Sequence, residues 1–150
     1  MRRFIGRFGA LAAAALLTLT GTAAAQADGP PTRAPSAAAE AAYFNLRDIT
    51  GSDFVIKLTD PQRISEAREI VANGERKIVI GRIVKQQAAY NWRWSYHYNP
   101  DTVSFADMAI EVCDATIPYV EDHLDEAGGP FLPGLYWCPW TGRLTSEIRP

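Results

Sequence analysis

Apolar side chains recur along this chain with two periods, and from Tyr43 onward they divide it into strands and helices. Tyr43–Ile49 and Phe54–Leu58 flank Thr50-Gly51-Ser52. In the second run Phe54, Ile56 and Leu58 alternate with Val55 and Lys57, which predicts two strands, the second with one buried face. Asp60 then offers an acceptor to first-turn amides, Pro61 suits the first helical position, and Asn73-Gly74 supplies a left-handed stop. Between them Ile64, Ala67, Ile70 and Val71 form a stripe opposite Arg63, Glu66, Arg68 and Glu69, so 61–73 reads as an amphipathic helix. Lys77–Lys85 is rich in β-branched residues and reads as a strand, with a bulge at Gly81 bringing Ile78, Ile80 and Ile83 onto one face.

Beyond a loop over 86–91, Trp92, Trp94, Tyr96 and Tyr98 alternate with Arg93, Ser95 and His97, which predicts another strand. Asn99-Pro100-Asp101-Thr102 has turn chemistry. The segment Val103–Cys113 admits two readings. Phe105, Met108, Val112 and Tyr119 fit a helical stripe, with Ser104 and Asp107 resembling a capping box. Against this, Met108, Ile110 and Val112 alternate with Ala109, Glu111 and Cys113, and Pro118 would break a continuous helix. The return strand of a hairpin is therefore favoured, followed by a separate helix over about 117–127 that stops at Gly128-Gly129. The tail from Pro130 has four prolines and no long periodic segment, and is expected to wrap over the surface. The fold class expected is a single α+β domain, with an antiparallel sheet of about five strands, two helices and one disulfide.

The N-terminal part has a different pattern. Arg2, Arg3 and Arg7 precede an apolar run from Phe8 to Leu19, and Ala25-Gln26-Ala27 follows with small residues at its ends, the layout of a secretory signal peptide over 1–27. The run is shorter than the roughly 20 residues a membrane span needs. Asp28–Ala42, with Pro30, Pro31 and Pro35, reads as a flexible linker, leaving 43–150 as the domain. The expected product is secreted, with no membrane span in its mature form.

Charge and cysteine count sharpen that picture. The chain carries 15 basic and 17 acidic side chains; loss of Arg2, Arg3 and Arg7 leaves 12 against 17, a formal charge of −5. An acidic domain is poorly suited to phosphate backbones, which argues against nucleic acid as a partner. Cys113 and Cys138 are the two cysteines, and an even pair in an exported protein points to a disulfide.

Candidate chemistry is sparse. His97, Cys113, His123 and Cys138 lack the short spacings that preorganise a zinc site, and Glu121, Asp122, Asp125 and Glu126 lie on a predicted helix, not a calcium loop. No metal or cofactor is expected. No Gly-x-Ser-x-Gly elbow is present, and Glu111 with Asp114 is an ordinary carboxylate spacing, so no enzyme is expected. Aromatics are the stronger signal. Trp92 and Arg93, with Trp137, Pro139 and Trp140 on the tail, form the candidate binding surface, because indole and guanidinium groups dominate binding hot spots. Trp94, Tyr96 and Tyr98 read instead as an inward face.

Five strings, DFVIKLTDP (Asp53–Pro61), GRIVK (Gly81–Lys85), AIEVCDA (Ala109–Ala115), YVEDHLDE (Tyr119–Glu126) and FLPGLYWCPW (Phe131–Trp140), jointly resemble a family of small exported bacterial domains. These are labelled calmodulin-binding-protein-like, after the N-terminal domain of a seventy-four-kilodalton calmodulin-binding protein. The resemblance spans roughly Tyr43–Leu144 and carries no catalytic residues with it. Calmodulin is acidic and prefers basic amphipathic helices, whereas the predicted helix from Ile117 is acidic, so charge argues against calmodulin as a partner of the mature chain. The function expected is non-enzymatic recognition of an extracellular protein or other ligand. The alternatives are a secreted protease inhibitor presenting Pro139-Trp140-Thr141-Gly142-Arg143 and, ranked behind it, an enzyme of unknown type.

Overall fold

Strand β1 (Ala42–Arg47) is the middle strand of a three-stranded antiparallel sheet in the computed structural model, which describes residues 40–149. The leader expected over 1–27 and most of the linker expected over 28–42 lie outside the described residues. On one side β1 pairs with β2 (Asp53–Leu58), from Ala42 opposite Leu58 to Arg47 opposite Asp53. On the other it pairs with β9 (Arg143–Ile148). Phe54, Ile56 and Leu58 point into the core, as the alternation predicts, and Phe44 and Leu46 of β1 join them there. Helix α1 (Pro61–Asn73) follows its sequence signals throughout. Asp60 accepts from the amides of Gln62 and Arg63 at 2.8 and 3.0 Å, and Gly74 ends it with φ of 64°. Its buried residues Ile64, Ala67 and Ile70 close over the sheet.

A second sheet is organised by β3 (Ile78–Val84). It pairs antiparallel with β4 (His97–Tyr98) at residues 83–84, with β5 (Ser104–Ala106) at 78–80, and with β8 (Tyr136–Trp137) at 81–82. The bulge expected at Gly81 is absent. Val79 and Ile83 face the main core, while Ile78 and Ile80 pack with Cys113 and Cys138 in a second cluster. Gly81 serves a close approach: a Cβ there would stand 2.9 Å from the ring of Tyr98.

Three further expectations are corrected. The strand over 92–98 shrinks to β4, because the backbone of 91–96 is held in turns; the Asn91 side chain accepts from the Val55 amide at 2.9 Å and donates to the Tyr96 carbonyl at 3.1 Å. Trp94, Tyr96 and Tyr98 still point inward. Trp94 Nε1 donates to the Asp53 carbonyl and the Tyr96 hydroxyl to the Ile117 carbonyl. The return strand over 103–113 is real only as β5, which pairs with β3 and forms no hairpin with β4; residues 107–110 are irregular and Glu111–Cys113 is a 3-10 turn. Finally, the tail is no surface wrap. After the short helix α2 (Ile117–Asp122), which stops before the predicted end, β6 (Ala127–Gly128) pairs in parallel with β7 (Phe131–Pro133). Leu132, Trp137, Cys138 and Leu144 of the tail are all buried. The architecture is α+β, with two antiparallel sheets and one short parallel pair, two helices among the described residues, and Cys113 bonded to Cys138.

Candidate functional site: an apolar face beside the disulfide

The tail tryptophans have opposite environments. Trp137 is 0% exposed, stacked on Tyr98 at 4.9 Å and edge-on to Phe54 and Tyr96, with its Nε1 donating to the Ala115 carbonyl at 2.9 Å. It is core, as is the buried Pro139, and both leave the candidate surface for that reason. Burial pushes the Tyr98 and Tyr96 hydroxyls well above the usual tyrosine range, and Glu121 and Asp48 add to the shift at Tyr96. Trp140 is 38% exposed; its amide donates to Asp114 Oδ1 at 2.8 Å and its carbonyl accepts from Arg143 Nη1 at 2.9 Å, so its backbone is fixed on both sides. Trp92 is 69% exposed, with the Arg93 guanidinium 5.6 Å from its ring. It lines a polar cleft with Thr50–Asp53 that Trp140 does not share. The sequence-named residues therefore fall into a core group and two separate surface positions.

Met108 and Ala109, which the sequence pattern assigns to a strand, share a pocket with Trp140. Met108, Ile110 and Val112 are 83%, 70% and 59% exposed on the segment between Asp107 and Cys113. Their alternation is visible in the sequence, but an extended loop without a pairing partner has the same periodicity as a strand. Two pockets of about 370 Å³ open along this segment and share Ala109. One is lined by Ile80, Ile110, Val112, Cys113, Pro133 and Tyr136, the other by Ile78, Met108 and Trp140 with Arg76, Asp107 and Arg143. Single exposed apolar residues are ordinary; here three stand at alternate positions of one segment along two pockets.

The frame beneath this face is rigid. The disulfide holds Cys113 and Cys138 with Cα atoms 5.1 Å apart, and the Cys138 amide also donates to the Cys113 carbonyl at 2.8 Å. The turn carrying Pro133 and Tyr136 contains Leu132 and Leu135 with φ of 47° and 67°. That left-handed conformation costs a non-glycine residue on the order of 1 kcal/mol and persists only where packing imposes it. Tyr136 is steadied by the Arg82 guanidinium 6.0 Å from its ring, while Arg82 Nε donates to the Gly134 carbonyl at 3.1 Å.

Both histidines and several of the acids have contacts of their own within the fold. His97 Nδ1 is 2.6 Å from the Gln86 carbonyl, and His123 stacks on Tyr119 at 4.1 Å. Glu121 accepts from the Ser95 amide and hydroxyl at 2.9 and 2.6 Å, and the buried Asp48 accepts from the Ile117 amide at 2.7 Å. Among the described residues no three His, Cys, Asp or Glu side chains converge as a metal site.

Residues 40–150 match the family described as the BP-74 N-terminal domain. No curated protein and no solved structure matches the chain.

Proposed function

The chain belongs to the BP-74 N-terminal domain family, and from that premise we propose that it is an exported, non-enzymatic recognition domain. Its binding face is the apolar surface of Met108, Ile110, Val112, Tyr136 and Trp140 beside the disulfide. The observation that carries this reading is the exposure of these large side chains, Tyr136 and Trp140 beside a paired strand and a strained turn, and Met108, Ile110 and Val112 on the unpaired segment that the disulfide anchors at Cys113. Preorganised apolar anchors of this kind bind with little ordering cost. Export is supported by the leader pattern over 1–27 and by a disulfide that persists in oxidising compartments. The ligand class is an extracellular protein or another ligand with an apolar contact surface. Calmodulin is disfavoured by the −5 charge of the mature chain.

The test uses the secreted chain immobilised against culture supernatant, followed by variants. Ile110→Asp and Trp140→Ala are expected to abolish or weaken capture of a specific partner, and Trp92→Ala to leave it intact. Equal capture by all three variants would overturn the reading.

A secreted protease inhibitor is the second reading, and one observation moves it. Pro139 and Gly142 are buried, so 139–143 does not project. The exposed segment anchored by a disulfide is 107–112, and inhibition would be lost on changing Ile110, not Arg143.

A further inference from the structure

Arg143 stands at the edge of the apolar face in an unusual state. It lines the pocket beside Trp140, and so does Arg76, which also shares a second pocket with it. Both of its hydrogen bonds among the described residues leave from Nη1, to the carbonyls of Trp140 and Gly142 at 2.9 and 2.6 Å. Its Nε is shielded from solvent and has no partner. At two other arginines of this molecule the edge formed by Nε and Nη2 holds a carboxylate on two hydrogen bonds. Arg47 uses it on Asp53 at 2.7 and 2.6 Å, and Arg68 on Glu147 at 2.9 and 2.7 Å. At Arg143 that bidentate edge holds none.

The neighbouring acids do not fill the gap. Asp107 lines the pocket but pairs with Lys77 at 2.6 Å, Asp48 is spent on the Thr50 and Ile117 amides, and Asp114 accepts from the Trp140 amide. Two arginines thus share one pocket with a single carboxylate, Asp107, that is paired with Lys77, in a mature domain that is acidic as a whole. Burial, and then the like charge of Arg76, push the Arg143 guanidinium below its ordinary range. The Nε is enclosed by protein, so a ligand meets the outer part of the half-buried Arg143 guanidinium together with Arg76, and a carboxylate supplies the charge that this pair lacks.

The rest of the pocket is apolar: Ile78, Met108, Ala109 and the Trp140 indole. We infer that this pocket binds an amphipathic carboxylate, its charged head held by Arg143 and Arg76 and its apolar body laid against Trp140 and Met108. The inference rests on the proposed binding face, of which the pocket is the edge, and names the chemistry recognised there. A peptide C-terminus with an apolar last residue and a free aryl or alkyl carboxylic acid share that chemistry.

Four probes titrated into the secreted chain test it, with calorimetry and the arginine Nε–H resonances as readouts. They are an N-acetyl tripeptide ending in phenylalanine, the same tripeptide as its C-terminal amide, 4-phenylbutyrate and 4-phenylbutyramide. Each carboxylate is expected to bind at least about tenfold more tightly than its amide, the difference a charged hydrogen-bonded pair produces. It should also shift the Arg143 Nε–H signal, and the tighter of the two acids names the source. Arg76 is exposed, so Arg76→Gln keeps the fold and is expected to weaken the carboxylates about tenfold while leaving the amides unchanged. Equal binding of acid and amide, or carboxylate affinity unaltered in Arg76→Gln, would overturn the proposal. Ile110→Asp separates the two readings: partner capture lost with carboxylate binding retained speaks to the face, and carboxylate binding absent with capture intact removes this inference alone.

Discussion

Trp137 and Trp140 lie three residues apart and illustrate how position outranks residue type. Trp137 belongs to a strand paired with β3, so its indole is forced between Tyr98, Phe54 and Tyr96; Trp140 lies past the disulfide, where the chain has left that pairing. Trp137→Ala is expected to destabilise the fold by about 3–5 kcal/mol, read from denaturant unfolding, as for other large aromatic truncations in a packed core. Trp140→Ala should leave that curve nearly unchanged while weakening a bound partner by about 1–2 kcal/mol or more. His97→Ala and His123→Ala should be nearly silent in the same binding assay, since both rings contact the protein's own backbone or aromatic rings. The sequence marks both tryptophans as important but cannot separate them, because a two-residue strand such as β8 leaves no periodicity to read.

At the scale of elements, legibility follows the density of local signals. Helix α1 carries its cap, its first-turn proline, its stripe and its stop between Asp60 and Gly74, and every one is used. The segment 107–113 carries an alternation but no statement of what pairs with it, and β3, its natural neighbour, already pairs with β5 at 78–80 and β8 at 81–82. Strand β9 escapes a sequence reading for the opposite reason: its one buried side chain, Leu144, stands among polar residues and gives no alternation. Two outcomes follow for the elements around β3. Gly81→Ala is expected to cost about 1–3 kcal/mol, since the added methyl meets a Tyr98 ring wedged between Phe54 and Trp137 that has nowhere to move. Replacing Cys113 and Cys138 together by alanine releases a closed loop with a sequence separation of 25. The loss expected is about 3.5 kcal/mol in thermal or denaturant unfolding, and intact mass with and without reductant should differ by two hydrogens.

Over the whole molecule, two ion pairs tie the ends of the three-stranded sheet together. Arg47 and Asp53 stand directly opposite across β1 and β2, and Arg68 of α1 reaches Glu147 of β9. In both acids the pKa lies below its ordinary value, first because the arginine donates hydrogen bonds to the carboxylate. A carboxyl whose pKa is lower folded than unfolded contributes stability above its unfolded value, about 4 for these side chains, and loses it as pH falls through the folded value. Thermal midpoints measured at steps from pH 7 downward should therefore hold nearly level to about pH 5 and then drop through the region below pH 4. Both pairs are largely exposed, so salt should lower the plateau only slightly and shrink the acid drop. Asp53→Asn combined with Glu147→Gln should flatten the acid limb while lowering the midpoint at pH 7. An acid limb as steep in that double variant as in the parent would mean that other carboxylates govern the transition.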